Sequence, residues 1–263
     1  MSRFARGALL CLAISCTAEI VAQDMPHTQP SGAYSRKNTF TLFAEYSPTS
    51  SHILLGVARQ RILADVGGAY TRRLANFWGS DLGYHVELRP VQFESDPLSI
   101  TKSTISVTGP PPIGFYTSTV TTATAPVAKC QPASGTIVYP PPPGETASES
   151  IAYTTTCGRQ WTFGQVFTPI GFKYSLRTRH PLQPFLIGTL GYMYTSRPIP
   201  IANAESFNFV FDFGAGLELY RSNQKQRSLS LEARYHHFSN RDTASANPGT
   251  DNITDILSYT FGH

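Results

Sequence analysis

Apolar residues recur at every second position along most of the chain from residue 39 onward, and this period constrains the fold most strongly. The clearest example is FNFVFDFGAGLELY, in which Phe207, Phe211 and Leu217 share one face while Asp212 and Glu218 share the other. A period of two is that of a β-strand, whose successive side chains point to opposite faces of the sheet. The sequence therefore predicts an all-β fold.

Eight segments carry this alternation, and turn-like breaks separate them. Each is about as long as the roughly 9–11 residues that a tilted transmembrane strand needs. The predicted strands are 39–47, 61–72, 79–92, 163–175, 183–195, 206–220, 227–238 and 252–261. We therefore expect an eight-stranded antiparallel transmembrane β-barrel.

The second face of these strands decides between a membrane barrel and a soluble β-sandwich, which also alternates. One face is apolar and aromatic, whereas the other carries charges of both signs: Glu45, Asp65, Glu87, Arg89, Lys173, Asp212, Glu218, Glu232 and Arg234. Paired charges can fill the narrow interior of a small closed sheet, while the apolar face meets lipid. This distribution favours the barrel.

The N-terminus resembles a secretory signal peptide. A basic start, MSRFAR, precedes the apolar run GALLCLAISCTAEI and a small residue, Ala22. An uncleaved anchor is the alternative, but the apolar run is shorter than the roughly 20 residues of a spanning helix. We expect residues 1–22 to be the signal, 23–38 a polar segment and 39–263 the barrel, placed in the outer membrane after secretion across the inner membrane.

The connection between the third and fourth predicted strands, residues 93–162, is far longer than the others. It contains the proline runs GPPP and YPPPPG, which oppose regular strand pairing. It also contains Cys130 and Cys157, which are the two cysteines left once the signal is removed. In an oxidising compartment they could form a disulfide, with two free thiols as the alternative. We interpret this segment as an irregular extracellular insertion.

A histidine, a serine and an acid lie close together in YHHFSNRDTASANPGTD, residues 235–251. The parity of strand seven places His237 and Ser239 on the apolar, lipid-facing side, where polar groups are costly unless they have a use. Asp251 lies just before the next predicted strand of the hairpin and can return beside His237 at the outer end. An imidazole near a hydroxyl, oriented by an acid, can act as the general base of a serine hydrolase.

At these residues the sequence resembles the lipid A 3-O-deacylase (PagL) family of outer-membrane barrels, which hydrolyse an ester-linked acyl chain of lipopolysaccharide. The resemblance lies in His237-Phe238-Ser239-Asn240, in Asn247 and in an acid twelve residues after the serine. It implies that Ser239 is the nucleophile, His237 the base, Asp251 the orienting acid and Asn247 a contributor to the oxyanion hole. The family's acid is usually glutamate, and RDT stands here where a glycine is typical.

Other functions find less support in the sequence. The remaining histidines and the cysteines show no metal-ligand spacing, and no phosphate-binding glycine loop is present. The formal net charge of +4 suits a phosphate-bearing surface without indicating nucleic acid. We therefore expect an esterase that acts on lipid A in the outer membrane without a cofactor or metal. The alternative is a non-catalytic barrel that displays the Pro-rich loop for adhesion or envelope structure.

Overall fold

The structure is a computed structural model that describes residues 34–111, 114–221 and 224–262. Over these ranges the fold is all-β with antiparallel strands, as predicted from the alternation. The same ranges contain no helix that is long and apolar enough to cross a membrane. The predicted signal peptide, residues 1–22, and most of the predicted polar segment 23–38 lie outside the described residues.

Ten strands make up the sheet in the described part of the chain. They are β1 (Asn38–Ser47), β2 (Ile62–Phe77), β3 (Ser80–Thr108), β4 (Phe115–Pro126), β5 (Ala133–Tyr139), β6 (Ser148–Ser175), β7 (Leu182–Ile199), β8 (Glu205–Arg221), β9 (Gln224–Ser239) and β10 (Thr250–Gly262). Each of the eight predicted strands overlaps one of these. The two strands that the sequence did not predict are β4 and β5.

The strand pairing closes on itself. The order is β4-β3-β2-β1-β10-β9-β8-β7-β6-β5, and β3 also pairs with β6, so eight strands form a ring in which each has two neighbours. Closure satisfies the backbone hydrogen-bonding groups of every ring strand without leaving an edge, which an apolar surrounding requires. Both β4 and β5 lie outside the ring.

The ring has charged residues inside and apolar residues outside. Every charged residue predicted for the second face is buried except Lys173, which is half-buried and donates to Glu218 over 2.8 Å. Leucine and phenylalanine side chains of the same strands are exposed, among them Leu217, Leu231 and Leu257. This polarity is the reverse of a soluble sandwich and agrees with the predicted assignment of the two faces.

The expectation of an irregular insertion at 93–162 is wrong. Strand β3 extends to Thr108 and β6 begins at Ser148, and the two remain paired throughout this extension, up to Thr108↔Ser148. The prolines fall mainly between strands, with Pro110 just after β3 and 140–143 between β5 and β6, while Thr, Ser, Val and Ile fill the strands. We call this four-stranded extension, ordered β4-β3-β6-β5, the outer arm.

The turn between β2 and β3 also differs from the prediction, which ended the second strand at residue 72. The strand continues to Phe77, and only Trp78 and Gly79 form the turn, with φ values of 53° and 76°. Left-handed backbone at both turn positions is what a tight two-residue hairpin requires. The RLAN stretch, interpreted as part of the connection, therefore belongs to the sheet.

A disulfide stabilises the outer arm internally, and a buried arginine joins the base of the arm to neighbouring connections. Cys130 and Cys157 form the expected disulfide, with Cα atoms 5.9 Å apart. The guanidinium of Arg61 is fully buried and forms an ion pair with Asp96 at 2.9 Å. Arg61 also donates to the carbonyl oxygens of Val127 and Pro200. One side chain thus connects the β1–β2 connection, the arm and the β7–β8 connection.

We predict that Arg61→Met lowers the free energy of unfolding by about 3–5 kcal/mol, because it leaves buried carboxylates without a cation. The carboxylates concerned are those of Glu94 and Asp96, at 3.5 and 2.9 Å from the guanidinium. The measurement is urea unfolding of the refolded protein in micelles, followed by circular dichroism. Arg59→Met, at an exposed neighbour, is the control and should have little effect. Equal stabilities of the two variants would contradict this role of Arg61.

Candidate active site

The candidate site lies where β9 ends and β10 begins. In the register of this hairpin Asp251 is directly opposite His237. His237 and Ser239 have the parity of the exposed Leu229 and Leu231, whereas His236 bonds to Asp212 in the ring interior. The two adjacent histidines therefore lie on opposite faces of the sheet, with His237 on the face that its parity predicts.

His237 and Asp251 are joined by a hydrogen bond. The ring Nδ1 is 2.7 Å from the Asp251 Oδ1. Since a carboxylate can only accept, Nδ1 carries the proton in this bond and Nε2 of a neutral ring holds the lone pair. A nitrogen in this state can take a proton from a hydroxyl, so the pair has the arrangement of a general base and its orienting acid.

Asp251 is fully buried, and its carboxylate also accepts hydrogen bonds from the β1–β2 connection. Its Oδ2 accepts the backbone N–H groups of Ile53, Leu54 and Leu55 at 3.2, 2.8 and 3.0 Å. Its Oδ1 accepts the N–H of Gly56 at 2.8 Å. A carboxylate that receives several backbone N–H groups is favoured in its ionised form. The β1–β2 connection therefore keeps the acid charged and fixed beside the imidazole.

Tyr235 is a second partner of the acid that the sequence reasoning did not identify. Its hydroxyl donates to the Asp251 Oδ1 over 2.8 Å. Its ring is nearly parallel to that of His237, with an interplanar angle of 7° and centroids 6.4 Å apart. The i, i+2 spacing on one strand face was the available signal, since it brings both side chains to the same acid.

Ser239 is the last residue of β9 and is half-buried. It lies two positions beyond His237 on the same face, about 6–7 Å away between Cα atoms. Within the described ranges its hydroxyl makes no hydrogen bond to His237 or to another group. The structure thus joins the predicted base and acid, and places the predicted nucleophile next to them without a direct bond.

Asn247 stabilises the β9–β10 connection. Its Oδ1 accepts the backbone N–H of Asn240 and its Nδ2 donates to the Asp242 carboxylate, both over 3.1 Å. Arg241 and Asp242 have φ values of 54° and 60°, in the left-handed region that glycine adopts most easily. The chain therefore takes a glycine-like conformation after the serine although no glycine is present there.

No group of three or more histidines, cysteines, aspartates or glutamates in the described ranges could hold a metal ion. The predicted site residues carry hydroxyl, imidazole, carboxylate and amide groups, and the two predicted cysteines form a disulfide.

A closed antiparallel sheet with charges inside and apolar residues outside is the organisation of an integral outer-membrane protein. On its outer face this one carries the imidazole–carboxylate pair that serine hydrolases use. The sequence model of the lipid A 3-O-deacylase (PagL) family matches residues 146–260, a segment that includes β6 to β9 and the residues His237, Ser239, Asn247 and Asp251. The resemblance predicted from the sequence is thereby confirmed for this part of the chain.

Two solved structures are similar to this chain at low sequence identity. The crystal structure of the outer membrane enzyme PagL has 12% identity and a TM-score of 0.46, over 85% of this chain and 99% of that chain. The β domain of the Bordetella autotransporter BrkA has 12% identity and a TM-score of 0.27, over 86% of this chain and 98% of its own. No curated relative matches the chain.

We predict that Asp251→Asn speeds amide exchange of residues 53–56 by about tenfold, because charge-assisted hydrogen bonds are roughly twice as strong as neutral ones. Hydrogen–deuterium exchange of the peptide that contains this segment measures the effect. Asp255→Asn is the matched control, since Asp255 is an exposed acid with the same parity on β10. Equal exchange in both variants would show that the charge of Asp251 does not hold the connection.

Proposed function

We propose that this chain is an outer-membrane esterase that removes an ester-linked acyl chain from the lipid A of lipopolysaccharide. The observation that carries the proposal is the His237–Asp251 hydrogen bond on the outer face of the β9–β10 hairpin. The match of the PagL family model to the segment that contains this pair supports the substrate class.

The proposed barrel is the ring of eight strands, with its apolar face in the hydrocarbon of the outer membrane. The strand directions then place the end of β9 and the start of β10 on the side opposite the chain termini. In a barrel whose termini face the periplasm, the site lies in the outer leaflet, where lipid A resides. An ester in that leaflet can reach an outward-facing serine without leaving the membrane.

The proposed reaction is acyl transfer through Ser239. Its Oγ attacks the ester carbonyl while the Nε2 of His237 takes the hydroxyl proton, and the same proton then goes to the leaving alcohol. Water attacks the acyl-serine in the second half of the reaction with the same base. The ionised Asp251 stabilises the imidazolium formed in each half. Ser239 needs to come within hydrogen-bond reach of Nε2 when substrate binds, and catalytic contacts are often longer without substrate.

The connection after Ser239 is the proposed oxyanion side of the site. Asn247 has two amide protons, of which one is directed at Asp242. The other is available to an oxyanion if the substrate carbonyl lies over this connection. Removing one oxyanion donor typically lowers the rate by about 100- to 1000-fold.

A non-catalytic barrel that displays the outer arm is the second candidate. The arm itself favours it, because β3 and β6 extend together well beyond the ring and carry β4 and β5 on their outer edges. The unbonded Ser239 hydroxyl is also compatible with it. The two candidates differ in a single measurable property, ester hydrolysis.

Ser239→Ala should abolish deacylation while leaving the protein folded, because the nucleophile is lost but the sheet is not altered. Lipid A is incubated with the refolded protein and examined by mass spectrometry for the loss of one acyl chain. Ser245→Ala is the matched control, since Ser245 is an exposed hydroxyl in the adjacent connection whose bond to Asn203 is weak, at 3.3 Å. Deacylation that survives in Ser239→Ala would remove the nucleophile assignment, and intact lipid A with the wild type would favour the display barrel.

Asn247→Ala should lower kcat by about 100-fold if the amide donates to the oxyanion. Asp242→Ala distinguishes oxyanion binding from stabilisation of the connection, because it removes the carboxylate that accepts from Asn247 and leaves the Asn247 amide in place. We expect Asp242→Ala to retain most of the wild-type kcat. A loss in Asp242→Ala as large as that in Asn247→Ala would mean that Asn247 acts only through the shape of the connection.

A further inference from the structure

The β1–β2 connection carries an apolar segment, Ile53–Val57, whose side chains are exposed. Their exposed fractions are 37% for Ile53, 68% for Leu54, 64% for Leu55 and 51% for Val57. Apolar side chains at the tip of a polar connection are unusual on a surface that faces water, where contiguous apolar patches mark interaction sites. We call residues 53–57 the apolar loop.

The backbone of the apolar loop is fixed to the candidate site. Four of its N–H groups bond to the Asp251 carboxylate, and the N–H of Val57 donates to the Pro248 carbonyl over 2.8 Å. A Cβ on Gly56 would lie 2.6 Å from the backbone nitrogen of Asp251, so the loop packs directly on the start of β10. The loop is therefore held in place before any ligand arrives.

The loop lies on the outer face of the ring. Asp251 shares its parity on β10 with the exposed Ile253, Leu257 and Tyr259, so its carboxylate belongs to the apolar face. The loop's N–H groups approach that carboxylate and cover it completely, because Asp251 has no exposed surface. The apolar side chains of the loop thus extend the apolar outer face over the acid and next to His237.

We propose that the apolar loop binds the acyl chain of the ester substrate, with Leu54 and Leu55 as its main contacts. The inference rests on the proposed esterase function. It predicts that the enzyme prefers long acyl chains and that this loop causes the preference. The acyl chain is the occupant because the loop continues the lipid-facing surface and is bonded to the catalytic acid itself. A preformed apolar surface also binds a flexible chain without the cost of ordering the protein.

The test compares esters of different chain length in the same detergent micelles, using p-nitrophenyl butanoate, octanoate and dodecanoate. For the wild type we expect kcat/KM to rise with chain length, by up to about fourfold for each methylene that becomes buried. In Leu54→Ser/Leu55→Ser the ratio of kcat/KM for dodecanoate over butanoate should fall at least tenfold. Leu54→Ala alone should give a smaller fall and keeps the loop apolar.

Val138→Ser is the matched control, because Val138 is an equally exposed apolar residue, at 64%, on β5 of the outer arm. Its dodecanoate-to-butanoate ratio should equal that of the wild type. An unchanged ratio in the double leucine variant, with an active wild type, would overturn the acyl-chain role and leave the esterase function standing. A wild type that cleaves none of the esters or lipid A would overturn both.

Discussion

The ion-pair network inside the ring fixes which faces of β1, β3, β8 and β9 point inward. The Nη2 of Arg89 lies 2.9 Å from carboxylate oxygens of both Glu87 and Asp212, and Arg234 forms a further ion pair with Glu87 at 2.9 Å. Buried charges are tolerated only when they are paired, and a one-residue slip of a strand would move them to the apolar outer face. The same parity directs His236 inward to Asp212 and His237 outward to Asp251. The position of the candidate site is thus a consequence of how the interior charges pair.

The sequence was sufficient to predict this inverted polarity because a period of two and charges on one face are local signals. It also predicted that Asp251 returns to His237, since the hairpin brings these residues together. It did not predict the apolar loop over Asp251, because four backbone N–H groups have no side-chain signature and come from residues about 195 positions away. The paired outer arm was missed for a different reason. The proline content predicts an unpaired insertion, whereas most of the prolines lie between its strands.

The two departures from the family pattern have local physical explanations. Aspartate is one methylene shorter than glutamate, but Asp251 is the cross-strand partner of His237, and such partners have Cα atoms about 4.5–5.5 Å apart. The shorter acid therefore reaches the imidazole. After Ser239, Arg241 and Asp242 adopt left-handed backbone at a cost of about 1–2 kcal/mol each. The hydrogen bonds of Asn240 and Asn247 across this connection offset that cost.

The Asp251 carboxylate links the chemistry of the site to its surroundings. It accepts six hydrogen bonds, four from the backbone of the apolar loop and one each from Tyr235 and His237. A buried carboxylate that loses donors becomes costly, so each set of donors stabilises the position that the other set needs. Displacing the loop therefore weakens the orientation of the His237 imidazole, and moving the imidazole weakens the bonds that hold the loop. If His237 is the base and the loop binds the acyl chain, as we propose, the carboxylate that fixes the imidazole also fixes the surface that contacts the substrate.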